Sequence, residues 1–447
     1  MNNSKNKHKP ILQSSRRDFC KNTALFTAGV MLPGMKMDTM ANVFNNKTLK
    51  LAVVGCGGRG TGAANQALKA DENVELVAMA DAFEDRLSGS LQSLQKEFEG
   101  SKRVNVQDKH RYVGFDAYKK AIDQADVVIL ATPPGFRPYH FEYAVNAGKH
   151  VFMEKPVATD VPGIRKVLEM AKIAKENKLN VVVGLQRHYQ NNYLAIAEKI
   201  KQNEVGKILS GQVYWNGAGV WVNPRESGQS EIEYQMRNWY YFNWLCGDHI
   251  LEQHIHNIDV ANWFIGEYPV SAQGMGGRLV RTGPEHGEIF DHHFVEFKYP
   301  SGAVISSQCR HQPGTWTKVG EAFQGTKGII DMNDAGAANI TDLEGNNIFE
   351  YRNRRDPNPY QVEHDKLFAS IRNKGVISDA ENGAKSTMTA IMGRMATYSG
   401  QVINWEEALK SDQVLMPKEV TWESTPPTVP GEDGLYPIPT PGKTKVI

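Results

Sequence analysis

Three glycines spaced Gly55-x-Gly57-x-x-Gly60 directly follow an apolar run, Leu49–Val54. That spacing suits phosphate binding. The glycines allow a tight turn and close backbone approach to a pyrophosphate, and the next helix offers free N–H groups to its oxygens. Asp81 ends the following apolar run, 21 residues past Gly60. A carboxylate there bonds both ribose hydroxyls and repels a 2′-phosphate, so NAD is favoured; Arg86 nearby keeps NADP open. The candidate cofactor contacts are therefore Gly55, Gly57, Gly58, Arg59, Gly60 and Asp81. A second place is His249-x-x-Glu252-x-x-x-His256. On one continuous helix these three fall within about 60° of one another, as a metal face would. The order matches no zinc motif, and no metal is expected.

Alternating elements must position the turn. Strands are expected at Leu49–Val54, Val74–Asp81, Ala125–Thr132, His150–Met153 and Val181–Gly184. Helices are expected between them at Gly62–Lys69, Phe83–Phe98, Asp116–Asp123, Pro138–Ala147 and Val161–Asn177. Strands alternating with helices of this length mean βαβ units and a parallel sheet. After Gly184 and a helix at Asn192–Lys201 the pattern changes to longer strands: Ile208–Trp215, Ser271–Val280, His292–Tyr299, Ala303–Cys309 and Lys318–Gln324. These predict a largely antiparallel sheet. Helices return at Val362–Asn373 and Ala384–Thr397. The fold class is thus α/β: a Rossmann dinucleotide-binding domain over 48–185, an α+β substrate and oligomerisation domain with a large open sheet over 186–424, and an extended Pro-rich tail over 425–447.

Several segments resemble the glucose–fructose oxidoreductase / inositol dehydrogenase (Gfo/Idh/MocA) family. Ala131-Thr132-Pro133-Pro134, His140, and Ala147-Gly148-Lys149-His150-Val151-Phe152-Met153-Glu154-Lys155-Pro156 are similar to its TP…H…AGKHV…EKP stretch. Gly393-Arg394 and Tyr398-Ser399-Gly400 resemble its last helix. The resemblance places Thr132, Pro133, His140, Glu154 and Lys155 at the cofactor, with Lys155 also beside the hydroxyl that is oxidised. A lysine there orients the hydroxyl and stabilises developing oxyanion charge. Pro156 would fix its backbone, through a cis bond.

The family's D-x-x-x-H-x-x-D signature is matched at His256 and Asp259, with Glu252 in the Asp place. On a helix, Glu252 and His256 share a face at i, i+4, and the carboxylate would orient an imidazole that takes the hydroxyl proton. His254 points away and is expected to be packed. Substrate contacts are expected from Arg187, His188, Arg237, Trp239 and Asp259.

The 447 residues are too many for one core, so two domains are the default expectation. A net charge of +1 gives no sign of nucleic acid as a partner. Cys20, Cys56, Cys246 and Cys309 are scattered, without a CxxC pair. Ser15-Arg16-Arg17-Asp18-Phe19-Cys20-Lys21 resembles the twin-arginine export signal, and a short apolar stretch from Thr23 to Met35 follows it. Residues 1–47 are therefore expected to be signal and linker, read by the twin-arginine export machinery, with a periplasmic or otherwise exported product.

These features predict an exported oxidoreductase acting on a sugar or glycoside carbinol, working as a homo-oligomer (dimer or tetramer). Free NAD is scarce outside the cytoplasm, so the cofactor should be tightly bound. Two alternatives stand beside this: an NAD-dependent glycoside hydrolase working by oxidation, elimination and water addition, and a non-catalytic sugar-binding protein.

Overall fold

The computed structural model describes residues 47–447 apart from position 354. The export-signal residues Ser15–Lys21 lie outside the described residues. Thr48–Ile447 form one compact unit.

Six parallel strands make the first sheet: β1 (Leu49–Val54), β2 (Val74–Asp81), β3 (Arg111–Val113), β4 (Val127–Leu130), β5 (His150–Met153) and β6 (Val181–Val183). Their order is β3-β2-β1-β4-β5-β6, so the switch point lies between β1 and β4. Ligands of such sheets bind at the carboxyl ends of the strands there. β4 and β6 are buried at every position, as strands covered by helices on both faces must be. The expected helices are present; the first begins earlier than expected, at Gly58 inside the glycine turn.

The second sheet has nine strands: β7 (Ile208–Gly217), β8 (Ser271–Gly277), β9 (His292–Lys298), β10 (Val304–His311), β11 (Lys318–Gly325), β12 (Gly328–Asn333), β13 (Ala337–Asp342), β14 (Asn347–Arg352) and β15 (Ile403–Asn404). Its order is β14-β13-β12-β11-β7-β10-β9-β8-β15, and only β7–β10 pairs in parallel. Alternate residues of β9 and β10 are buried; helix Ala380–Ser399 packs on β8 and β9, and helix Ile255–Ile265 on β7. β8 stops short of the expected Val280 because the backbone N–H groups of Leu279, Val280 and Arg281 all turn onto one Asp291 oxygen.

The chain then returns to the first sheet. Helix Pro359–Arg372 packs on helix Gly58–Ala70, tied by Arg372 to Asp71 at 2.6 Å. Cys56, Cys246 and Cys309 are buried free thiols. No helix among the described residues is long and apolar enough to cross a membrane.

Candidate active site

The glycine turn is built by close packing on one side and open space on the other. Gly55 has φ +95°, and a Cβ there would sit 2.5 Å from the Ala131 carbonyl carbon and the Thr132 nitrogen. A Cβ on Gly60 would lie 1.8 Å from the Gly55 oxygen. Gly57 and Gly58 meet nothing within 4 Å and line a cavity of ≈ 560 Å³. No side chain caps the helix that starts at Gly58. The turn thus offers free N–H groups and room for a pyrophosphate. Asp81 lines the same cavity and accepts from Cys56 N at 2.6 Å and Phe83 N at 2.9 Å. These two bonds aim the carboxylate and leave lone pairs for ribose hydroxyls. Burial pushes its carboxyl above the usual range.

Thr132, Pro133 and His140 line the same cavity as the glycine turn. His140 Nδ1 meets Thr132 Oγ1 at 3.2 Å, and its ring stacks on Tyr118 at 4.1 Å. Burial, with Arg137 adding to it, lowers this imidazole to about 3 and keeps it neutral. Glu154 does not line the cavity. Its carboxylate is held by Arg59 Nε at 2.5 Å, and Arg59 also reaches the buried Glu363 at 3.1 Å. The Arg59 side chain therefore ties the glycine turn to Glu154 and to helix Pro359–Arg372, leaving its backbone for the phosphates.

Lys155 precedes a cis bond to Pro156, as expected. Its Nζ donates to the Glu252 backbone oxygen and, at 3.1 Å, to Glu252 Oε1. Glu252 itself lines the cavity. This corrects the expected dyad: Glu252 orients the lysine, not His256. The physical reason is a helix break. One short helix spans His249–Glu252 and the next begins at Ile255, so the i, i+4 relation does not hold. His256 is buried against Trp215, ring centres 5.9 Å apart, with Nδ1 unpartnered. Burial first, then the charges of Lys155 and Arg187, hold its imidazolium well below the ordinary range, so the ring is a neutral base.

The same break disperses the metal face. His249 Nδ1 turns to Asp248 at 2.8 Å, Glu252 to Lys155, and His256 to Trp215. Asp248, at φ +78°, is a buried hub: its carboxylate accepts from His249 N, the Tyr398 hydroxyl and Phe290 N, and lies 3.2 Å from His293. His254 is packed, bonded to Ser307 at 2.7 Å.

Three expected substrate contacts lie elsewhere. Arg187 is 2% exposed and ion-paired with the fully buried Glu321, so it belongs to the core. Asp259 is spent on His188 at 2.7 Å, Ser386 at 2.6 Å and Asn382 at 3.0 Å. It anchors His188, which stacks on Trp263. Arg237 lines the cavity, but at the Asp81 end. It grips Asp85 at 3.0 and 3.1 Å and lies over the Phe83 ring. Trp239 lines the wall with Trp221, ring centres 5.7 Å apart. No sequence signal marked Glu321 or Glu363 as their partners; Gln253, also on the wall, was visible only as the neighbour of Glu252.

Burial alone would lower His188, but Asp259 outweighs it and raises the imidazolium above 6.5. The pair therefore stabilises fully below the unfolded histidine range near 6.5, and the contribution is lost as pH rises through the folded midpoint. Asp259→Asn should drop the His188 midpoint, followed by NMR of the ring protons; an unmoved midpoint would contradict the pairing.

A parallel sheet whose glycine turn, Asp81 carboxylate and Lys155-bound Glu252 meet at one cavity has the architecture of a dinucleotide-binding oxidoreductase. Residues 49–185 match the model of an oxidoreductase family with an NAD-binding Rossmann fold, and residues 193–331 match the GFO/IDH/MocA C-terminal domain. The chain belongs to this family. It is 30% identical over 207 residues to 2,7-anhydro-N-acetylneuraminate hydratase of Escherichia coli, covering 46% of this chain and about half (51%) of that relative. It is 23% identical to inositol 2-dehydrogenase of Rhizobium meliloti, covering 75% of this chain and 92% of that one. Among solved structures, aldose-aldose oxidoreductase from Caulobacter crescentus aligns with TM-score 0.63 at 18% identity, covering 80% of this chain and 100% of that one. Levoglucosan dehydrogenase with NADH and levoglucosan aligns with TM-score 0.63 at 17% identity, covering 80% and 99%.

Proposed function

We propose that this protein oxidises a ring carbinol of a sugar or glycoside, with NAD held as a resident group. The observation that carries this reading is the Lys155–Glu252 pair, because Glu252 lines the cavity that also receives the glycine turn and Asp81. Bound nicotinamide supplies the hydride acceptor. Lys155 donates to the carbinol oxygen and stabilises its developing charge. Glu252 holds the amine in place, and the neutral ring of His256 takes the proton. The relatives named for inositol and levoglucosan oxidation support a polyhydroxylated substrate.

One observation favours a second reading. A relative is named as a hydratase of an anhydro sugar, which adds water. In a redox-neutral cycle, oxidation acidifies the adjacent C–H, the aglycone leaves, water adds and the hydride returns. The intact Lys155 and His256 speak against a mere sugar binder.

Export through the twin-arginine route rests on Ser15-Arg16-Arg17-Asp18-Phe19-Cys20-Lys21. That route carries folded proteins, which suits a cofactor loaded before export. A homo-oligomer formed through the open face of the nine-stranded sheet rests on exposed Met275 and Trp316, 72% and 59% accessible. Light scattering giving the mass of a single chain would reject it.

Purified protein should release NAD on denaturation. Incubation with glycosides then separates the readings: keto-sugar with reduction of an added acceptor supports the oxidoreductase, and aglycone release without acceptor supports the redox-neutral cycle. Protein that retains no NAD after gel filtration overturns the resident cofactor. Export is tested by cell fractionation, where Arg16→Lys with Arg17→Lys should leave the protein in the cytoplasm.

A further inference from the structure

Gln253 stands one residue past Glu252 and lines the same cavity. Its side-chain oxygen meets His311 Nε2 at 2.8 Å. His311 ends β10, is 1% exposed, and lies with its ring 4.3 Å from His249 and 5.8 Å from Tyr240. Burial, then the charge of His249, holds its imidazolium well below the ordinary range, so the ring carries a single N–H.

The position of that proton follows from the neighbours. His311 Nδ1 is buried without a partner. A proton there would be an orphaned N–H, which folded proteins rarely tolerate. A proton on Nε2 finds the Gln253 oxygen. His311 is therefore the donor, and the amide has only one satisfactory orientation: oxygen to His311, nitrogen free. No protein acceptor meets Gln253 Nε2 among the described residues.

We propose that Gln253 is a specificity-determining donor of this cavity. Its amide N–H binds an oxygen next to the carbinol that Lys155 and Glu252 receive, so the site selects a vicinal diol of a cyclic polyol or saccharide. His311 is a positioning residue that keeps the donor aimed. The inference rests on the sugar-oxidoreductase reading of the cavity. Trp221 and Trp239 on the same wall supply aromatic faces for such a ring.

The test uses the NAD-loaded full chain with myo-inositol, levoglucosan and methyl β-D-glucopyranoside as probes. Gln253→Glu keeps an oxygen for His311 and the side-chain shape but removes the donor. It should raise KM about tenfold with kcat and melting temperature little changed. His311→Ala should raise KM similarly, and add nothing in the Gln253→Glu background. An unchanged KM in Gln253→Glu overturns the inference while leaving the proposed function intact. A further rise in the double variant overturns the role of His311. An NAD-loaded wild type that oxidises none of the probes removes the functional reading and this inference with it.

Discussion

Lys155→Met is expected to lower kcat on any oxidised sugar by about 10³-fold while NAD stays bound. Two separate sets of residues make the effect divisible. The turn Gly55–Gly60 and Asp81 form the nucleotide end, and neither contacts the lysine amine. The amine instead makes two bonds, both to Glu252. Removing it takes away the cation proposed to meet the carbinol oxygen and leaves Glu252 without its lysine partner. Methionine keeps the length of the stem, so the cavity wall need not collapse. Glu252→Gln should cost less, because the amide still offers an oxygen to Lys155. Since both side chains act as one device, the double variant should be little worse than Lys155→Met alone. Single-turnover reduction of bound NAD, followed by absorbance, reads the hydride step directly. A Lys155→Met protein that binds NAD and turns over at more than about a tenth of the wild-type rate would remove this lysine from the chemistry.

Much of the nucleotide half was legible because one-dimensional patterns carry it. Buried parallel strands are continuous apolar runs, and Gly55 and Gly60 meet a backbone requirement that any L side chain would break. The second sheet was legible in its central strands but not in β12–β14. Those strands are short and half exposed, so their apolar positions thin out between Asn, Asp and Gly. The site divided along a similar line. Residues held by local backbone, such as Gly55 and Asp81, fell where spacing put them; Lys155, placed by the family resemblance, reaches Glu252 but does not itself line the cavity. Glu252 and His256 did not fall where spacing put them, because their expected relation assumed an unbroken helix; the helix breaks at Gln253–His254, where Gln253 bonds His311 and His254 bonds Ser307, both on β10. Long-range carboxylates decide the rest. Glu321 lies 134 residues from Arg187 and Glu363 lies 304 from Arg59, and no local pattern announces either.

That distance matters most at Arg187, where a core arginine and a sugar ligand predict opposite outcomes. Arg187→Met is expected to destabilise the protein by about 3–5 kcal/mol, the usual cost of breaking a buried ion pair from one side. Glu321 is fully buried and already accepts from Tyr193 at 3.0 Å and Asn257 at 2.7 Å, but among the described residues the arginine is its only cation. Burial pushes the Glu321 carboxyl up even with Arg187 present. Without the guanidinium it should rise further, and the folded state then holds a proton that the unfolded chain releases near 4.3. The folded form binds the extra proton, so stability falls as pH rises through that interval. The deficit of Arg187→Met should therefore be smaller at pH 5 than at pH 8 in chemical denaturation. Adding Glu321→Gln should recover much of the loss, since the buried charge is gone and the amide oxygen still serves Tyr193 or Asn257. A substrate ligand would behave otherwise: its loss would raise KM with no change in the denaturation midpoint, and Glu321→Gln would rescue nothing. The charge of Arg187 also bears on the proposed catalysis, because it is one of those that keep His256 neutral. Where the rescued double variant folds, the acid limb of its pH–rate profile should therefore move to higher pH, a shift that packing alone would not produce.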